Sequence, residues 1–209
     1  IIWENYVFSN PDSAIVLAQL EIEFSKAAGK KNYEAIAYNN IGLSYDVKGD
    51  FQKALQTYEK TLAIKEVMGD KKGMASTYNN IGIIYKSLGN MVMSLKYHQM
   101  CLELRKENGD TNSLGSTYNN IGIIYKVQKN YEKAMEYYLL GLEKRKFKND
   151  VKGIAGSFTN IANLFYEKEQ YDSSLNYHKK SLGIHQNGND LQGIAGSYGN
   201  MAGLHPVSY

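Results

Sequence analysis

The sequence predicts an all-α fold, a solenoid of stacked antiparallel helix pairs, on the basis of three observations. The segment Tyr-Asn-Asn-Ile-Gly occurs at residues 38–42, 78–82 and 118–122, a spacing of forty residues. Degenerate copies follow in phase at residues 158–162 and 198–202. The only prolines, Pro11 and Pro206, lie near the ends. A fixed period of this size is typical of repeat solenoids, and a proline-free interior favours long helices.

The first helix of the type repeat is predicted from about Lys72 to Leu88. Its buried face is expected to carry apolar and small residues at helical offsets. These are Tyr78, Ile81, Gly82 and Tyr85. An aspartate precedes four copies of this helix and is expected to cap them, because a carboxylate can accept an unpaired N–H of the first turn. The four capping candidates are Asp70, Asp110, Asp150 and Asp190.

The second helix is predicted from about Met91 to Lys106, after a turn at residues 89–90. Glycine suits this turn because it takes the left-handed conformation without steric cost. The expected buried positions are Met91, Ser94, Leu95, His98, Cys101 and Leu102. Small residues such as Gly82 and Ser94 should let the two helices approach closely. The many Glu and Lys residues of the second helices are expected to face solvent.

The period divides the chain into a single array of repeats. Residues 1–29 form a divergent partial repeat in which the first helix is mostly missing. Full repeats follow at 30–69, 70–109, 110–149 and 150–189, and residues 190–209 form a truncated repeat that breaks at 205–206. Neither end offers the polar cap that a solenoid normally has. We therefore expect a segment of a longer protein that can self-associate through its ends, with residues 205–209 as foreign or remodelled sequence.

These residues resemble the tetratricopeptide repeat, which pairs an aromatic, Leu-Gly and Tyr on the first helix with Ala, an aromatic and Ala on the second. Tyr78, Ile81, Gly82 and Tyr85 match the first set, and Ala54 and Tyr58 match the second. The forty-residue unit exceeds the usual length of about 34 and lacks the final proline. It is similar to the long repeats of kinesin light chains, spindle-orientation adaptors and bacterial regulators. The resemblance covers about residues 10–204 and implies a right-handed superhelix.

Composition narrows the classes of partner. The formal charge is +3, from 24 basic and 21 acidic residues, which argues against a nucleic-acid partner. No apolar run approaches about 18 residues, so no membrane contact is expected. The single cysteine, Cys101, excludes an intrachain disulfide. No signal peptide is visible. A cytoplasmic location is favoured, and a periplasmic one stays open if a signal sequence was removed.

Asparagines recur at one position of the first helix, two residues after the core aromatic and about 200° around the helix. This first asparagine row comprises Asn40, Asn80, Asn120, Asn160 and Asn200. An amide has donors and an acceptor, so such a row could bond the backbone of an extended peptide. The resemblance to peptide-binding relatives implies the same role. The alternative is that the amides bond the neighbouring helix and set the geometry between repeats, and both roles are compatible.

We call the surface that the first row faces the groove. The remaining residues predicted to line this groove flank the first row. They comprise a second asparagine row, Asn39, Asn79 and Asn119, together with Ile83, Ile123, Lys86, Lys126 and Asn163. Lys86 and Lys126 are candidates for contact with an acidic side chain or C-terminus. His98, His178 and Cys101 are expected to pack in the core. No spacing of histidine, cysteine or carboxylate residues indicates a metal, a cofactor or a catalytic site.

The sequence therefore predicts a non-catalytic binding module that takes an extended peptide or protein segment in its groove. We expect it to be the sensing or scaffolding part of a larger signalling protein of bacterial type. A structural spacer or oligomerisation array with an empty groove is the alternative. RNA binding and an intrinsic enzyme activity are disfavoured, because most tyrosines lie on the core stripe and no nucleophile motif stands out.

Overall fold

The computed structural model describes Val7 and residues 9–203. Within that part of the chain the regular structure is entirely helical. The ten helices are α1 Pro11–Ala27, α2 Lys31–Val47, α3 Phe51–Val67, α4 Lys71–Ser87, α5 Met91–Glu107, α6 Leu114–Val127, α7 Tyr131–Phe147, α8 Val151–Glu167, α9 Tyr171–Asn187 and α10 Leu191–Ala202. Three-residue turns separate most neighbours, so consecutive helices joined by such a turn run antiparallel. The predicted all-α repeat solenoid is confirmed.

Side-chain caps begin most of these helices. The carboxylates of Asp70, Asp150 and Asp190 each accept the backbone N–H three residues on, at 2.8, 2.9 and 3.0 Å. The predicted caps at these positions are confirmed. Asn90 and Asn130 cap the second helices α5 and α7 in the same way. Each cap pairs a backbone donor that the helix itself leaves open.

The third repeat begins differently from the prediction. Residues 111–113 form a turn, and α6 begins at Leu114, with Ser113 at its N-cap. The backbone carbonyl of Ser113 accepts the hydroxyls of Ser116 and Thr117 at 2.8 and 3.1 Å. The expected helix start directly after Asp110 is therefore wrong. The physical reason is that Thr, Asn and Ser stand at 111–113, and their short polar side chains favour turns over a helix interior.

The turns of the two halves differ in chemistry. The left-handed position after a helix is a glycine up to residue 109, as at Gly49, with a φ of 75°, and at Gly89. From residue 129 onward the position has a side chain, as in Lys129 and Glu169, with φ of 59° and 58°. The predicted glycine turns are confirmed at 49, 69, 89 and 109. The later turns adopt the same left-handed conformation with residues other than glycine, although glycine adopts it most readily.

The described helices form two compact units, residues up to Gly109 and residues from Asp110. In the first unit α1 packs on α2, α2 on α3, α3 on α4 and α4 on α5. In the second unit the same neighbour packing runs from α6 to α10. The predicted end of the array beyond Gly203 lies outside the described residues, as do residues 1–6 and 8 at the start of the predicted partial repeat.

Glycines on the first helices face a ring from the second helix of the same repeat. A Cβ on Gly42 would lie 2.7 Å from the ring of Tyr58, and one on Gly82 would lie 2.8 Å from that of His98. Ser94 also donates its hydroxyl to the Gly82 carbonyl at 2.7 Å. The predicted close approach of Gly82 and Ser94 is confirmed, and His98 is 1% exposed, as expected of a core residue.

A second ring from the second helix packs between two rings of the first, and we call this set the aromatic trio. In the type repeat Tyr97 stacks on Tyr85 at a centroid distance of 5.4 Å and tilts against Tyr78 at 5.9 Å. The later trios are Tyr118, Tyr125 and Tyr137, and then Phe158, Phe165 and Tyr177. The sequence prediction did not place residue 97 or its copies on the buried face.

Two basic residues near the ends of the second helices are not solvent-exposed: Lys65 is buried, contrary to the expectation for the lysines of these helices, and Arg145 is half-buried. Lys65 is 8% exposed and donates from Nζ to the Gly73 carbonyl at 3.0 Å. Arg145 donates in the same way to the Gly153 carbonyl at 2.9 Å and to the Ser157 hydroxyl at 2.7 Å. The bonds to the carbonyls of Gly73 and Gly153 connect a second helix to the first turn of the next repeat. Burial lowers the pKa of both side chains.

Lys65→Met is expected to lower the free energy of unfolding by about 1–3 kcal/mol, because it removes the charged donor to a partly buried carbonyl. Lys65→Arg serves as the control, since arginine makes the equivalent bonds at position 145. Urea unfolding followed by circular dichroism measures both. Equal losses for the two variants would contradict a specific hydrogen-bonding role for Lys65.

Candidate functional site

The two asparagine rows occupy matching positions of the first helices. In the first row Asn40, Asn80, Asn120 and Asn160 are half-buried, whereas Asn200 on α10 is exposed. In the second row Asn39, Asn79 and Asn119 are half-buried as well. Each amide is therefore partly accessible, and its position is fixed by the helix that carries it.

The rows bond to each other within each compact unit. Asn80 on α4 donates its amide to the Asn39 side-chain oxygen on α2 at 3.5 Å. Asn160 on α8 donates to the Asn119 side-chain oxygen on α6 at 2.6 Å. Each bond joins first helices one repeat apart. The expectation that these amides bond a neighbouring helix is met at these two pairs.

This pairing leaves capacity for a further partner. An asparagine side chain has two N–H donors and an oxygen with two lone pairs. The bond between Asn80 and Asn39 uses one donor of the first and one lone pair of the second. Asn40 is half-buried, and its side chain has no hydrogen-bond partner within the described part of the chain. In the first unit the rows can therefore connect repeats while Asn40 still offers donors and an acceptor to a ligand.

A buried polar group lies beside the first row in the first unit. The hydroxyl of Tyr58 is buried, with no hydrogen-bond partner among the described residues. Burial raises the pKa of Tyr58, and the charge of Asp46 raises it further. The Asn80 amide lowers the pKa of Tyr58, although the amide and the hydroxyl are outside normal hydrogen-bonding geometry. Burial also raises the pKa of Asp46.

The flanking candidates differ in their freedom to bind. Lys126 forms an ion pair with Glu167 at 3.4 Å, so its charge is already paired within its own unit. Lys86 is half-buried and close enough to His98 to help lower that residue's pKa. Ile123 packs against a core cluster of the second unit. Ile83 and Asn163 are half-buried. The apolar candidates therefore belong partly to the packing, and Lys126 is less available than the sequence indicates.

The histidine, cysteine and carboxylate residues of the described part of the chain bear on the metal and core predictions. No group of three or more His, Cys, Asp or Glu residues that could hold a metal ion occurs in residues 9–203. His178 and Cys101 are 2% and 0% exposed, as predicted for core positions. Over the described residues, no helix is both long and apolar enough to span a membrane.

Family comparison gives the same repeat along most of the chain. The tetratricopeptide repeat family matches residues 35–66, 73–146 and 154–187. Each match covers most of one or two of the helix pairs described above. The chain belongs to the tetratricopeptide repeat family. A comparison with curated protein sequences gives no significant match.

Solved structures share the fold at low sequence identity. BtubC (BKLC) from P. vanneervenii is 19% identical, with a TM-score of 0.82 over 94% of this chain and 83% of its own. A signal-transduction ATPase with a tetratricopeptide repeat sensor, PH0952 from Pyrococcus horikoshii, is 20% identical, with a TM-score of 0.73 over 96% of this chain and 34% of its own. The quorum sensor NprR from B. thuringiensis is 19% identical, with a TM-score of 0.70 over 91% of this chain and 54% of its own. This chain thus spans about a third of the ATPase and about half of NprR.

Proposed function

We propose that this chain is a non-catalytic protein-binding module that holds an extended peptide or protein segment along the first asparagine row. The observation that carries the proposal is the row of phased, half-buried amides, in which the Asn40 side chain has no hydrogen-bond partner among the described residues. Regularly spaced amides can form hydrogen bonds with the backbone of a peptide. Such bonds tolerate different side chains on the peptide. The fold is compatible with this role, since repeat arrays offer extended surfaces to partners.

A sensing or scaffolding role within a larger signalling protein is the wider form of this proposal. Support comes from PH0952, in which a tetratricopeptide repeat is the sensor, and from NprR, which is a quorum sensor. Both proteins are much longer than the region this chain matches. In such an arrangement the repeats would recognise the partner, and another segment would deliver the response.

A spacer or oligomerisation array is the second candidate, and one observation favours it. The bonds from Asn80 to Asn39 and from Asn160 to Asn119 show that the rows already connect repeats. If this were their only role, the amides would contribute to stability and not to ligand affinity. The two functions therefore make opposite predictions for Asn40, whose amide is not used in such a bond.

The test begins with a peptide-library screen on the wild-type chain, followed by affinity measurements on the best peptide. Asn40→Ala combined with Asn80→Ala is expected to weaken binding roughly tenfold or more, since each lost hydrogen bond contributes about 0.5–1.5 kcal/mol. Asn32→Ala, at an exposed position of α2, is the matched control and should bind like the wild type.

Stability measurements separate the two candidates. Asn40→Ala alone should reduce affinity and leave the melting temperature unchanged or slightly raised, because alanine is the better helix former. Asn39→Ala should lower the melting temperature by removing the acceptor of Asn80. If no library peptide binds the wild type, or if Asn40→Ala binds as tightly as the wild type, the binding proposal is wrong. The spacer function would then be preferred.

A further inference from the structure

One repeat lacks the central ring of its aromatic trio. Tyr97, Tyr137 and Tyr177 each place a ring between two aromatic side chains of the preceding first helix. Forty residues before Tyr97 the chain has Thr57, while both flanking rings, Tyr38 and Tyr45, are present. Threonine is far smaller than tyrosine and its hydroxyl bonds back to the Lys53 carbonyl at 2.7 Å. The place of the ring is therefore left open.

A cavity of about 500 Å³ occupies this place in the first unit. Its walls come from α1, α2 and α3 and include Tyr38, Tyr45 and Thr57. This volume lies within the range of about 300–1,000 Å³ that is typical of small-molecule sites. The lining residues of α2 lie on a different face of the helix from Asn40. The cavity is therefore separate from the asparagine rows.

Lysines surround the open position. Lys26 and Lys60 place their Nζ atoms 5.8 and 5.7 Å from the centre of the Tyr38 ring, and Lys53 lies 5.3 Å from that of Tyr45. Glu23 is the acidic side chain in the lining. Lys53 pairs with Asp50 at 2.7 Å, and Lys26 lies 3.6 Å from Glu34. Lys60 has no ion-pair partner within the described residues, so it supplies positive charge at the cavity.

The fourth full repeat shows how a ring fits such a site. Lys146 and Lys180 lie 6.0 and 5.9 Å from the centre of the Phe158 ring, as Lys26 and Lys60 do at Tyr38. Here Tyr177 fills the central place, and the Nζ of Lys180 lies 4.4 Å from its ring centre. The filled site thus combines stacking on Phe165 with a lysine over the ring face. Both contacts favour an aromatic occupant.

We propose that the cavity at Thr57 is a binding site for a planar aromatic group that carries negative charge. The ring takes the place that tyrosine fills in the later repeats and stacks on Tyr45. Lys60 lies over its face, and Lys26 and Lys60 attract the anionic substituent. The shared chemistry covers a free aromatic carboxylate and an aromatic side chain flanked by acidic residues in a peptide.

Calorimetric titration of the full chain with 2-naphthoate tests the proposal. We expect saturable binding of one equivalent, with a Kd of about 1 mM or tighter for a ligand of this size. The uncharged 2-naphthamide should bind about fivefold more weakly, and cyclohexanecarboxylate, which has no ring face, weaker still. The peptide acetyl-Asp-Tyr-Asp-amide is the second arm. The tighter of naphthoate and peptide identifies the natural source of the ring.

Two substitutions at one repeat position serve as matched variants. Thr57→Tyr should abolish binding and raise the melting temperature by about 2–4 °C, because it completes the missing aromatic trio. Tyr177→Thr should create a second site beside Lys146 and Lys180, so that two equivalents bind. Lys60→Met should weaken binding of 2-naphthoate and have little effect on 2-naphthamide.

Three outcomes would overturn the proposal. They are the absence of saturable binding of both probes by the wild type, unchanged binding in Thr57→Tyr, or equal affinity for the charged and uncharged naphthalenes. Asn40→Ala leaves the cavity intact, so binding of 2-naphthoate by that variant does not depend on the proposed function of the asparagine rows.

Discussion

Gly82→Leu is expected to lower the free energy of unfolding by about 3 kcal/mol or more, the largest loss among the substitutions considered. Any Cβ at position 82 would lie 2.8–2.9 Å from the ring of His98, closer than real side chains approach. That ring is 1% exposed, so it has no space into which it can move. Overpacking of a tight core contact costs about 1–3 kcal/mol, and leucine adds three further carbons. Thermal unfolding followed by circular dichroism measures the loss.

Gly156→Leu is the matched control for this substitution. Gly156 also lies within a first helix, but it is exposed and a Cβ there would meet no other atom within 4 Å. Leucine at this position should leave stability unchanged or raise it by up to about 1 kcal/mol, because glycine is the poorer helix former. A melting temperature of Gly82→Leu equal to that of the wild type would reject the close pairing of α4 with α5.

Acidification from pH 8 to pH 4 is expected to destabilise the chain by about 3 kcal/mol through His98 alone. Burial, with the nearby charges of Lys86 and Arg105, lowers the pKa of His98 from 6.5 to about 4. The unfolded chain therefore binds the proton at a higher pH than the folded chain. The stability is fully present above about pH 6.5 and is lost as the pH falls toward 4.

His98→Tyr isolates this contribution. Tyrosine fills the same repeat position at Tyr58 and Tyr138, where it packs over Gly42 and Gly122. The variant should fold normally at pH 8 and lose less stability than the wild type between pH 6.5 and 4. Urea unfolding at several pH values supplies the comparison. Parallel stability curves for the two proteins would show that His98 does not contribute to acid sensitivity.

The fold was predictable from sequence because its strongest signal is periodic. The forty-residue spacing, the glycines near helix ends and the aspartate caps each have a local physical cause, and most appear where expected. The start of α6 was missed because residues 111–113 replace helix-compatible residues in a single repeat. A period describes what repeats share, so a departure in one copy depends on its own local chemistry.

The sites were less predictable because they depend on partners from other repeats. The sequence shows that Asn80 and Asn39 recur, but not that their side chains lie within 3.5 Å of each other. It likewise shows Lys65 as a charged residue near a helix end, where exposure is the usual outcome. The burial of Lys65 follows from the Gly73 carbonyl eight residues later. The substitution of Thr57 for the tyrosine of later copies was the available signal for the cavity, since an alignment of the repeats displays it.

The open place at Thr57 bears on how a repeat protein could gain new ligands. The walls of that site are the same rings that elsewhere hold a tyrosine, so the chain carries several latent sites that differ by a single side chain. Loss of one ring would expose a formed site without moving the backbone, and the lysines around it would set which charge is preferred. Such an array could therefore gain binding sites through the loss of one aromatic side chain in one repeat, while the neighbouring repeats keep the fold intact.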